Sequence, residues 1–520
     1  NLDTEFSIND INNSLRDISF RHLYGRDLST ANDWLKLFCI SRDLIHLHQA
    51  WDLYHRVFRQ IATQLKNFKK LELRHVSPAL TNASNLGLAV PGTYRTRGEV
   101  IHIRSFFPSV DIITSKQRPR RMTIVGTDGL EYRFLLKGHE DLRQDERVMQ
   151  LFGLINVCLE NDRWTRGRGL SIVRYSVLPL SNNSGVIGWV ENCDTLNALV
   201  KQYREARDVK MSVEHKLLLT KAPCYEKLSI IQKVDIFCQV REETTGQDLA
   251  KMLWFKSKTS DVWVERRSNY TKSLAVMSMV GYILGLGDRH PSNLMLDRVG
   301  GRIVHIDFGD CFEVAMQRSK YPETIPFRLT RMLIKAMEIS GIEGTFRSTC
   351  EKVMNILRDN RNSVMAMLEA FVYDPLISWR LLAQNNDGGT TVTTGVVNAV
   401  EKAVHQSMDS PTVGSPVTEI VENPRSEIEG ESAQLKNEPS TRDNLPKLLR
   451  LKSNVIESSQ ETLNSRALEV IHRIQSKLNG RDFNTSDDGT SVEQQVDHLI
   501  NEATSVENLC QVFVGWCPFW

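Results

Sequence analysis

The sequence has few of the features that mark a secreted scaffold protein. Its nine cysteines are an odd number and are scattered, with no Cys-x-x-Cys pair. This distribution excludes a disulfide framework, argues against a zinc site, and favours a reducing cytosolic or nuclear compartment. Cys510 and Cys517 lie close together near the end and are either a redox-sensitive pair or, as the compartment favours, two partly buried thiols.

Long apolar runs are also missing. The most apolar uncharged stretch, residues 273–287, is shorter than the roughly 18–20 residues that span a bilayer, and it is interrupted by Ser278 and three glycines. We therefore expect a buried core helix there. No charged segment followed by an apolar one opens the chain, so we expect no secretory signal. Because the sequence begins at Asn1 rather than Met, we expect it to be part of a longer protein.

A net charge of one sign is absent too. The 65 Lys and Arg residues nearly balance the 63 Asp and Glu residues, leaving +2, which gives no argument for nucleic acid as a partner. The balance conceals one acidic segment, because residues 383–443 contain ten acids, four bases and no aromatic residue. Such a segment cannot bury enough apolar surface to offset its ordering entropy. We predict a disordered acidic insert over 383–460, either regulatory or a passive linker.

The first 98 residues predict a helical bundle followed by a connector. Between residues 46 and 65, apolar side chains recur at spacings of three and four, which predicts one buried stripe on a helix. The stripe consists of Leu47, Trp51, Tyr54, Val57, Phe58, Ile61 and Leu65. We assign 1–70 to part of a bundle, and the proline- and glycine-containing residues 71–98 to a connector.

The middle of the chain predicts strands and then helices. Short runs rich in β-branched and aromatic residues predict strands at 100–104, 110–114, 121–125, 131–137, 172–178 and 185–190. Asp128-Gly129 predicts a hairpin between the third and fourth of these runs, and a helix follows the fourth. This order predicts an α+β, two-lobed fold, with a β-rich N-lobe over 99–190 and a helical C-lobe over 191–382.

The last sixty residues return to helical spacing. We predict a helix over 461–487 that packs on the C-lobe, and a terminal segment, 488–520, whose helix starts at the capping box of Ser491 and Gln494. The segment ends in four aromatic residues, which either pack on the body of the protein or insert into a membrane interface. They are Phe513, Trp516, Phe519 and Trp520.

Three short motifs carry the chemistry. Asp288 and Asn293 have the spacing of the protein-kinase catalytic loop, although the order is Asp-Arg-His rather than His-Arg-Asp. Asp307-Phe308-Gly309 matches the magnesium-binding Asp-Phe-Gly motif and follows Asn293 by fourteen residues, enough for a hairpin. Lys137 ends a predicted strand, as a phosphate-pairing lysine does. Each motif is weak alone, but their joint order predicts a phosphotransferase.

These residues resemble a known family. Gly287–Asn293 together with His305–Asp310 resembles the phosphatidylinositol 3-kinase-related protein kinases. The terminal Gly515–Trp520 resembles the FATC end of the target of rapamycin (TOR) group, and Tyr24–Leu28 with Ala50–Tyr54 resembles its FKBP–rapamycin-binding (FRB) bundle. The resemblance covers the chain except 383 to about 460. It implies a protein serine/threonine kinase in nutrient and growth signalling, with ATP and Mg²⁺ (or Mn²⁺) as cofactors.

The resemblance also implies a role for each matching position. It makes Asp288 the catalytic aspartate, with His290 beside the transferring phosphate, and Asn293 and Asp307 the magnesium ligands. Lys137 would hold the ATP phosphates, oriented by Glu140 or Asp145. The remaining implied ATP contacts are Ser115 and Gln117 over the phosphates, Gly188, Trp189 and Val190 in the hinge, and Leu135, Tyr175, Thr195, Met295 and Ile306 around adenine. For the basic turn 114–120, a nuclear-localisation patch and a solvated turn stay open.

The shared catalytic loop leaves a phosphoinositide kinase and an inactive scaffold as alternatives. A lipid kinase needs clustered lysines after Asp307 to hold the inositol phosphate head group. Between Asp307 and Phe327 the bases are Arg318 and Lys320, offset by three acids. This favours protein substrates, and the intact motif residues argue against a scaffold.

Partners are implied by the resemblance alone. Residues 203–246 resemble the insertion that binds a small β-propeller subunit, and scaffold subunits would bind upstream repeats. FKBP–rapamycin would bind Trp51, Asp52 and Phe58. His48 and His55 stand where TOR proteins commonly have Thr and Tyr, which predicts weakened drug binding. The implied location is cytoplasmic, with peripheral association to lysosomal or other endomembranes, and also nuclear.

Overall fold

The structure is a computed structural model, and it describes residues 15–95, 98–115, 117–374, 465–483 and 489–520. The predicted insert over 383–460 therefore lies outside the described residues. The described residues fall into two compact units. Their limits along the chain are Asn1–Leu142 with Tyr175–Glu191 for unit 1, and Arg143–Arg174 with Asn192–Trp520 for unit 2.

Unit 1 begins with two paired helices, α1 (Leu15–Ser41) and α2 (Leu44–Asn67). Asp43 caps α2 by accepting a hydrogen bond from the Ile45 N–H at 3.0 Å. Ala50 and Val57 of α2 are buried, but Trp51 and Phe58 are each 67% exposed. The prediction of one buried stripe is therefore wrong for these two aromatic residues and for Leu65, which is also exposed, because the α1 contact uses the neighbouring face of α2.

The main element of the rest of unit 1 is, in the described residues, a seven-stranded antiparallel sheet. Its strand order is β1-β3-β4-β5-β7-β6, with β2 paired beside β4. The strands are β1 (Lys70–Glu72), β2 (Ile103–Phe106), β3 (Ser109–Ile112), β4 (Arg120–Gly126), β5 (Glu131–Gly138), β6 (Val177–Ser181) and β7 (Ser184–Gly188). Two short helices, α3 (Leu73–Val76) and α4 (Pro78–Asn82), lie in the predicted connector. The sheet core is formed by Val90, Ile103, Ile124, Phe134 and Val186.

Local turn chemistry explains the β4–β5 hairpin. The Asp128 carboxylate accepts hydrogen bonds from the Leu130 N–H at 3.0 Å and from the Tyr132 hydroxyl at 2.6 Å. The strand predicted over 172–178 is wrong for its first five residues, since β6 starts at Val177.

Unit 2 starts with α5 (Arg143–Asn161) and α6 (Arg163–Gly167). The helix α5 buries Val148, Met149, Leu151, Phe152 and Ile155, as its spacing predicts. Residues 143–174 lie within the predicted N-lobe range of 99–190, but in the structure they group with unit 2.

The rest of unit 2 packs helices around a small sheet of the order β10-β9-β8. Its strands are β8 (Cys193–Thr195), β9 (Leu294–Asp297) and β10 (Ile303–His305). The helices before β9 are α7 (Leu196–Glu205), α8 (Val213–Lys221), α9 (Ile230–Glu243), α10 (Asp248–Phe255) and α11 (Ser260–Leu284). Those after β10 are α12 (Arg331–Lys335), α13 (Arg347–Asp359), α14 (Arg361–Val372), α15 (465–479), α16 (Val492–Thr504) and α17 (Val506–Leu509).

The helix α11 is the predicted core helix. Its C-terminal half is buried, and it ends at Gly285, whose φ of +63° favours glycine. A side chain at Gly285 would also collide with the backbone of Glu313. Within the described ranges, no helix is both long and apolar enough to cross a membrane.

The C-terminal segment contains the predicted capping box, and three of its four aromatic residues pack on the body of the protein. Ser491 and Gln494 form reciprocal hydrogen bonds at the start of α16. Trp516, Phe519 and Trp520 are buried, and the Phe519 ring stacks on Phe237 with the ring centroids 4.4 Å apart. Packing on the body therefore accounts for these three residues, and membrane contact by them would require their release. Phe513 is 54% exposed.

Candidate active site

The loop after α11 presents Asp288 with its backbone held on both sides. The Asp288 N–H donates to a Glu323 carboxylate oxygen at 2.9 Å, and the Asp288 carbonyl accepts from the Asn293 side-chain amide at 2.9 Å. Its φ of +57° lies in the left-handed region, which is uncommon for a residue with a side chain. The Asp288 carboxylate is 37% exposed and can therefore meet a substrate.

His290 lies beside this carboxylate. Its Nε2 is 4.0 Å from an Asp288 oxygen, and its Nδ1 accepts the Ser292 N–H at 3.1 Å. Burial lowers the pKa of His290, while Asp288 opposes that shift, so the ring is neutral near pH 7. Since Nδ1 accepts a hydrogen bond, the neutral ring carries its proton on Nε2.

Arg289 connects this loop to the Asp-Phe-Gly segment. Its buried guanidinium donates to the carbonyl of Gly287 at 2.8 Å, to that of Ile306 at 2.9 Å, and to that of Asp307. Because Arg289 follows Asp288 directly, these bonds tie the predicted catalytic residue to the predicted metal ligand.

The Asp-Phe-Gly segment is anchored to α5. The Gln144 amide donates to the carbonyls of Phe308 and Gly309, at 2.8 and 3.0 Å. The buried Asp145 carboxylate accepts the Phe308 N–H at 3.4 Å. The Phe308 ring is fully buried and meets Phe152 edge-on, with the centroids 5.4 Å apart. Asp145 thus lies in unit 2, where it supports the backbone next to Asp307.

Asn293 and Asp307 suit a magnesium ion. The Asn293 amide nitrogen is used by the Asp288 carbonyl, which leaves the amide oxygen for a ligand. Amide and carboxylate oxygens are ligand types that Mg²⁺ accepts, and it commonly keeps water and substrate phosphates as its other ligands. No cluster of three or more His, Cys, Asp or Glu residues that could hold a metal occurs in the described part of the chain.

Lys137, which is predicted to hold the ATP phosphates, lies in unit 1. It lies on β5 opposite Gly185 of β7, and its ammonium is 3.1 Å from a Glu140 oxygen. Both side chains are largely buried, which strengthens the pair relative to a surface ion pair. Of the two predicted partners, Glu140 is the one that unit 1 provides.

The predicted phosphate turn lies between β3 and β4. Ser115 and Gln117 are exposed, whereas Lys116 is outside the described residues. The Ser115 N–H donates to the Ile113 carbonyl at 2.9 Å, so this amide is used within the turn. A contact of this turn with phosphates would therefore use groups other than the Ser115 N–H.

Unit 1 also holds the predicted hinge. The Gly188 N–H donates to the Ser176 carbonyl at 2.7 Å, and any Cβ on Gly188 would collide with the Ser176 side chain. The Trp189 N–H donates to the Arg133 carbonyl at 2.9 Å. The third predicted hinge residue, Val190, is partly buried. The adenine contacts predicted in this unit, Leu135, opposite Ile187, and Tyr175, are also partly buried.

The adenine contacts predicted in unit 2 belong to its small sheet. Thr195 of β8 pairs with Met295 of β9, and Ile306, just after β10, donates its N–H to the Asn293 carbonyl at 3.1 Å. The Thr195 hydroxyl accepts the Ala198 N–H at 3.1 Å and so caps α7. This structural role was not predicted.

Sequence reasoning missed Gln144, Arg289 and Glu323. Arg289 could have been found from its position between two motif residues, because an arginine that is buried in such a loop needs hydrogen-bond partners. Gln144 and Glu323 had no such signal, since their partners lie 164 and 35 residues away along the chain.

A sheet lysine paired with an acid lies in unit 1, and a loop with Asp, Asn and Asp-Phe-Gly lies in unit 2. Each set of residues is typical of the nucleotide-binding residues of kinases. The comparisons agree with this class. The model described as phosphatidylinositol 3- and 4-kinase matches residues 131–381, that of the FATC domain matches 489–520, and that of the FKBP12-rapamycin binding domain matches 5–63.

Curated relatives are similar over almost the whole chain. Serine/threonine-protein kinase TOR of Oryza sativa subsp. japonica is 50% identical over 98% of this chain and 21% of its own length. Serine/threonine-protein kinase mTor of Drosophila melanogaster is 50% identical over 98% of this chain and 20% of its own. A solved structure, "FAT and kinase domain of CtTel1", has 27% identity and a TM-score of 0.61, covering 87% of this chain and 27% of that one.

The chain belongs to the TOR group of the phosphatidylinositol 3-kinase-related kinases. It spans about a fifth of the length of the curated relatives it matches.

Proposed function

We propose that this chain is the catalytic part of an ATP-dependent protein serine/threonine kinase of the TOR type, acting in nutrient and growth signalling. The observation that carries the proposal is the geometry of Asp288, whose backbone is held on both sides while its carboxylate stays accessible. Arg289 fixes this loop to the Asp307 segment, as the cooperation of a catalytic acid and a metal ligand requires.

The chain's residues divide the work of phosphoryl transfer. Asp288 orients the substrate hydroxyl and accepts its proton. The neutral His290 ring, with its proton on Nε2, donates a hydrogen bond to an oxygen of the transferring group. Lys137, held by Glu140, neutralises phosphate charge. ATP, when bound, supplies the phosphoryl group, and we propose Mg²⁺, or alternatively Mn²⁺, at Asn293 and Asp307.

Protein rather than lipid is the proposed substrate class. Of the two bases between Asp307 and Phe327, Arg318 already pairs with Asp310 and with Glu323. Holding an inositol phosphate head group needs a cluster of available cations. Lys320 alone does not form such a cluster, which supports a serine or threonine hydroxyl as acceptor.

Three partner surfaces belong to the proposal. A small β-propeller subunit would bind 203–246, where the exposed Ile230 and Ile231 of α9 supply an apolar contact. FKBP–rapamycin would bind the face of α2 that exposes Trp51, Asp52 and Phe58. Scaffold subunits would bind upstream parts of the full-length protein. We propose a cytoplasmic location with peripheral association to lysosomal or other endomembranes, and also a nuclear one, testable by imaging.

The test is a phosphotransfer assay on peptide and on phosphoinositide vesicles with the full-length protein. Asp288→Asn is the matched control, because Asn removes the carboxylate charge but tolerates the left-handed backbone. We expect phosphopeptide from the wild type and at least a thousandfold less from the variant. Lipid product without phosphopeptide would favour the lipid kinase, and transfer to neither would favour a scaffold.

A further inference from the structure

A buried glutamate of the activation segment, residues 307–327, contacts the catalytic loop. Glu323 is 6% exposed, and its Oε2 accepts the Asp288 N–H at 2.9 Å. Its other oxygen, Oε1, accepts from the Arg318 guanidinium at 3.2 Å. The Glu323 N–H donates to the Ala315 carbonyl at 3.1 Å. Both carboxylate oxygens and the backbone of this residue are therefore held in place.

Glu323 contacts the catalytic loop at Asp288, the residue with a strained backbone. Asp288 has a positive φ, and such a backbone persists only when its surroundings determine it. Asn293 holds the carbonyl side of Asp288, and Glu323 holds the N–H side. A charged acceptor makes a stronger hydrogen bond to a backbone N–H than a neutral one does. The direction of the Asp288 side chain thus depends on a residue that is distant in sequence.

A second hydrogen bond also connects the catalytic loop to the activation segment. Arg318 also pairs with Asp310, whose backbone carbonyl accepts the Gly287 N–H at 2.8 Å. Two consecutive amides of the loop, those of Gly287 and Asp288, therefore donate to the activation segment.

We propose that Glu323 is a positioning residue for phosphoryl transfer, which holds the backbone N–H of Asp288 and so aims the catalytic carboxylate. The proposal rests on the proposed function, because it assigns Asp288 the substrate hydroxyl. The alternative is that Glu323 serves only as the ion-pair partner of Arg318. In that case the charge of Glu323 would matter for kcat, and its hydrogen bond with the Asp288 N–H would not.

Two variants separate these roles. Glu323→Gln keeps an oxygen that can accept the Asp288 N–H but loses the charge that pairs with Arg318. Glu323→Leu has a similar volume and provides no acceptor. The control is Glu338→Leu, because the partly buried Glu338 accepts hydroxyl hydrogen bonds from Ser268 and Thr345 at 2.7 Å each, away from the loop. It therefore reports the general cost of removing a partly buried acceptor.

The measurements are kcat, the KM for ATP, and amide hydrogen exchange of a peptide containing residues 286–289, all on the full-length protein. For Glu323→Leu we expect kcat to fall about 10²-fold, as misplacing a catalytic group does, with KM for ATP within about twofold. Exchange at residues 286–289 should become faster. Glu323→Gln should stay within about fivefold of the wild-type kcat, and Glu338→Leu within about twofold.

Three results would overturn the inference. The first is a Glu323→Leu kcat within about threefold of an active wild type. The second is an equal loss of kcat in Glu323→Gln and Glu323→Leu, which would assign the effect to the Arg318 pair. The third is unchanged exchange at residues 286–289 in Glu323→Leu. A wild-type protein that phosphorylates no peptide would instead overturn the proposed function, and the inference with it.

Discussion

The two ends of the described chain use aromatic residues in opposite ways. On α2, Trp51 and Phe58 are each 67% exposed, whereas Trp516, Phe519 and Trp520 at the other end are buried. The sequence shows tryptophan and phenylalanine at short spacings in both places. Aromatic content alone therefore does not decide burial. Burial also depends on whether the backbone next to the rings finds hydrogen-bond partners inside the protein.

At the C-terminal end, two buried arginines provide hydrogen bonds to the backbone beside the aromatic rings. Arg328 donates to the carbonyls of Trp516 and Cys517 at 2.7 and 2.8 Å, and Arg331 donates to the Phe519 carbonyl at 2.6 Å. Burial lowers the pKa of both arginines to about 10, so both stay charged at neutral pH. The helix α2 satisfies its own backbone groups and can leave one face exposed.

The largest expected effect follows from removing a buried aromatic ring. Phe519→Ala should lower the free energy of unfolding by about 3–5 kcal/mol, because it leaves a cavity against Phe237. Urea denaturation of the full-length protein, followed by circular dichroism, measures the change. The control Phe513→Ala, at a half-exposed position, should cost less than about 1 kcal/mol. Equal losses in the two variants would remove the distinction between them.

The second effect tests the arginine contacts. Arg331→Met should cost about 2–3 kcal/mol, because it leaves the carbonyls of Phe519, Arg241 and Thr244 without this donor. Arg331→Lys should recover part of the loss, since one ammonium can reach fewer of these oxygens. The same denaturation experiment measures both variants. A neutral result for Arg331→Met would mean that ring packing alone holds the terminal segment.

Adjacent residues of α2 provide the third test. Ala50→Leu should destabilise by about 1–3 kcal/mol, because Ala50 has no exposed surface and the helix pair has no room for a larger side chain. Trp51→Ala should change stability by less than about 0.5 kcal/mol, yet weaken FKBP–rapamycin binding at least tenfold. Thermal unfolding and calorimetric titration separate the two effects. A strong destabilisation by Trp51→Ala would contradict the assignment of this face to binding.

A smaller effect concerns drug affinity. His55 lies four residues after Trp51 and three before Phe58, so the three side chains share one side of α2. His55→Tyr should raise FKBP–rapamycin affinity about tenfold by adding apolar contact area. A titration of the full-length protein measures it. Wild-type binding as tight as that of the variant would contradict the prediction.

The smallest effect concerns thiol reactivity. Burial raises the pKa of the Cys510 and Cys517 thiols, so little thiolate is present at pH 8. Cys39 on α1 is exposed. Alkylation followed by mass spectrometry should label Cys39 before the two terminal cysteines. A disulfide-linked peptide after mild oxidation would instead favour the redox-pair alternative.

Local signals predicted the local structure well. Asp128-Gly129 predicted the β4–β5 hairpin, and the Ser491–Gln494 box predicted the start of α16, because each signal and its consequence lie within a few residues. The start of β6 and the exposure of Trp51 depend on distant elements and were predicted incorrectly. Motif spacing predicted roles for Asp288, Asn293 and Asp307, and these roles stay predictions. Spacing could not predict Gln144 and Glu323, which support these loops from other segments.

The positive φ angles at Asp288 and Asp307 have an evolutionary consequence. Both are left-handed positions, +57° and +61°, where asparagine and glycine are tolerated and most other residues are strained. A lineage that loses catalysis should therefore drift first to asparagine or glycine at these two sites, since those changes spare the fold. Degenerate relatives would then be recognised by Asn or Gly at both sites, long before alanine or a bulky residue appears.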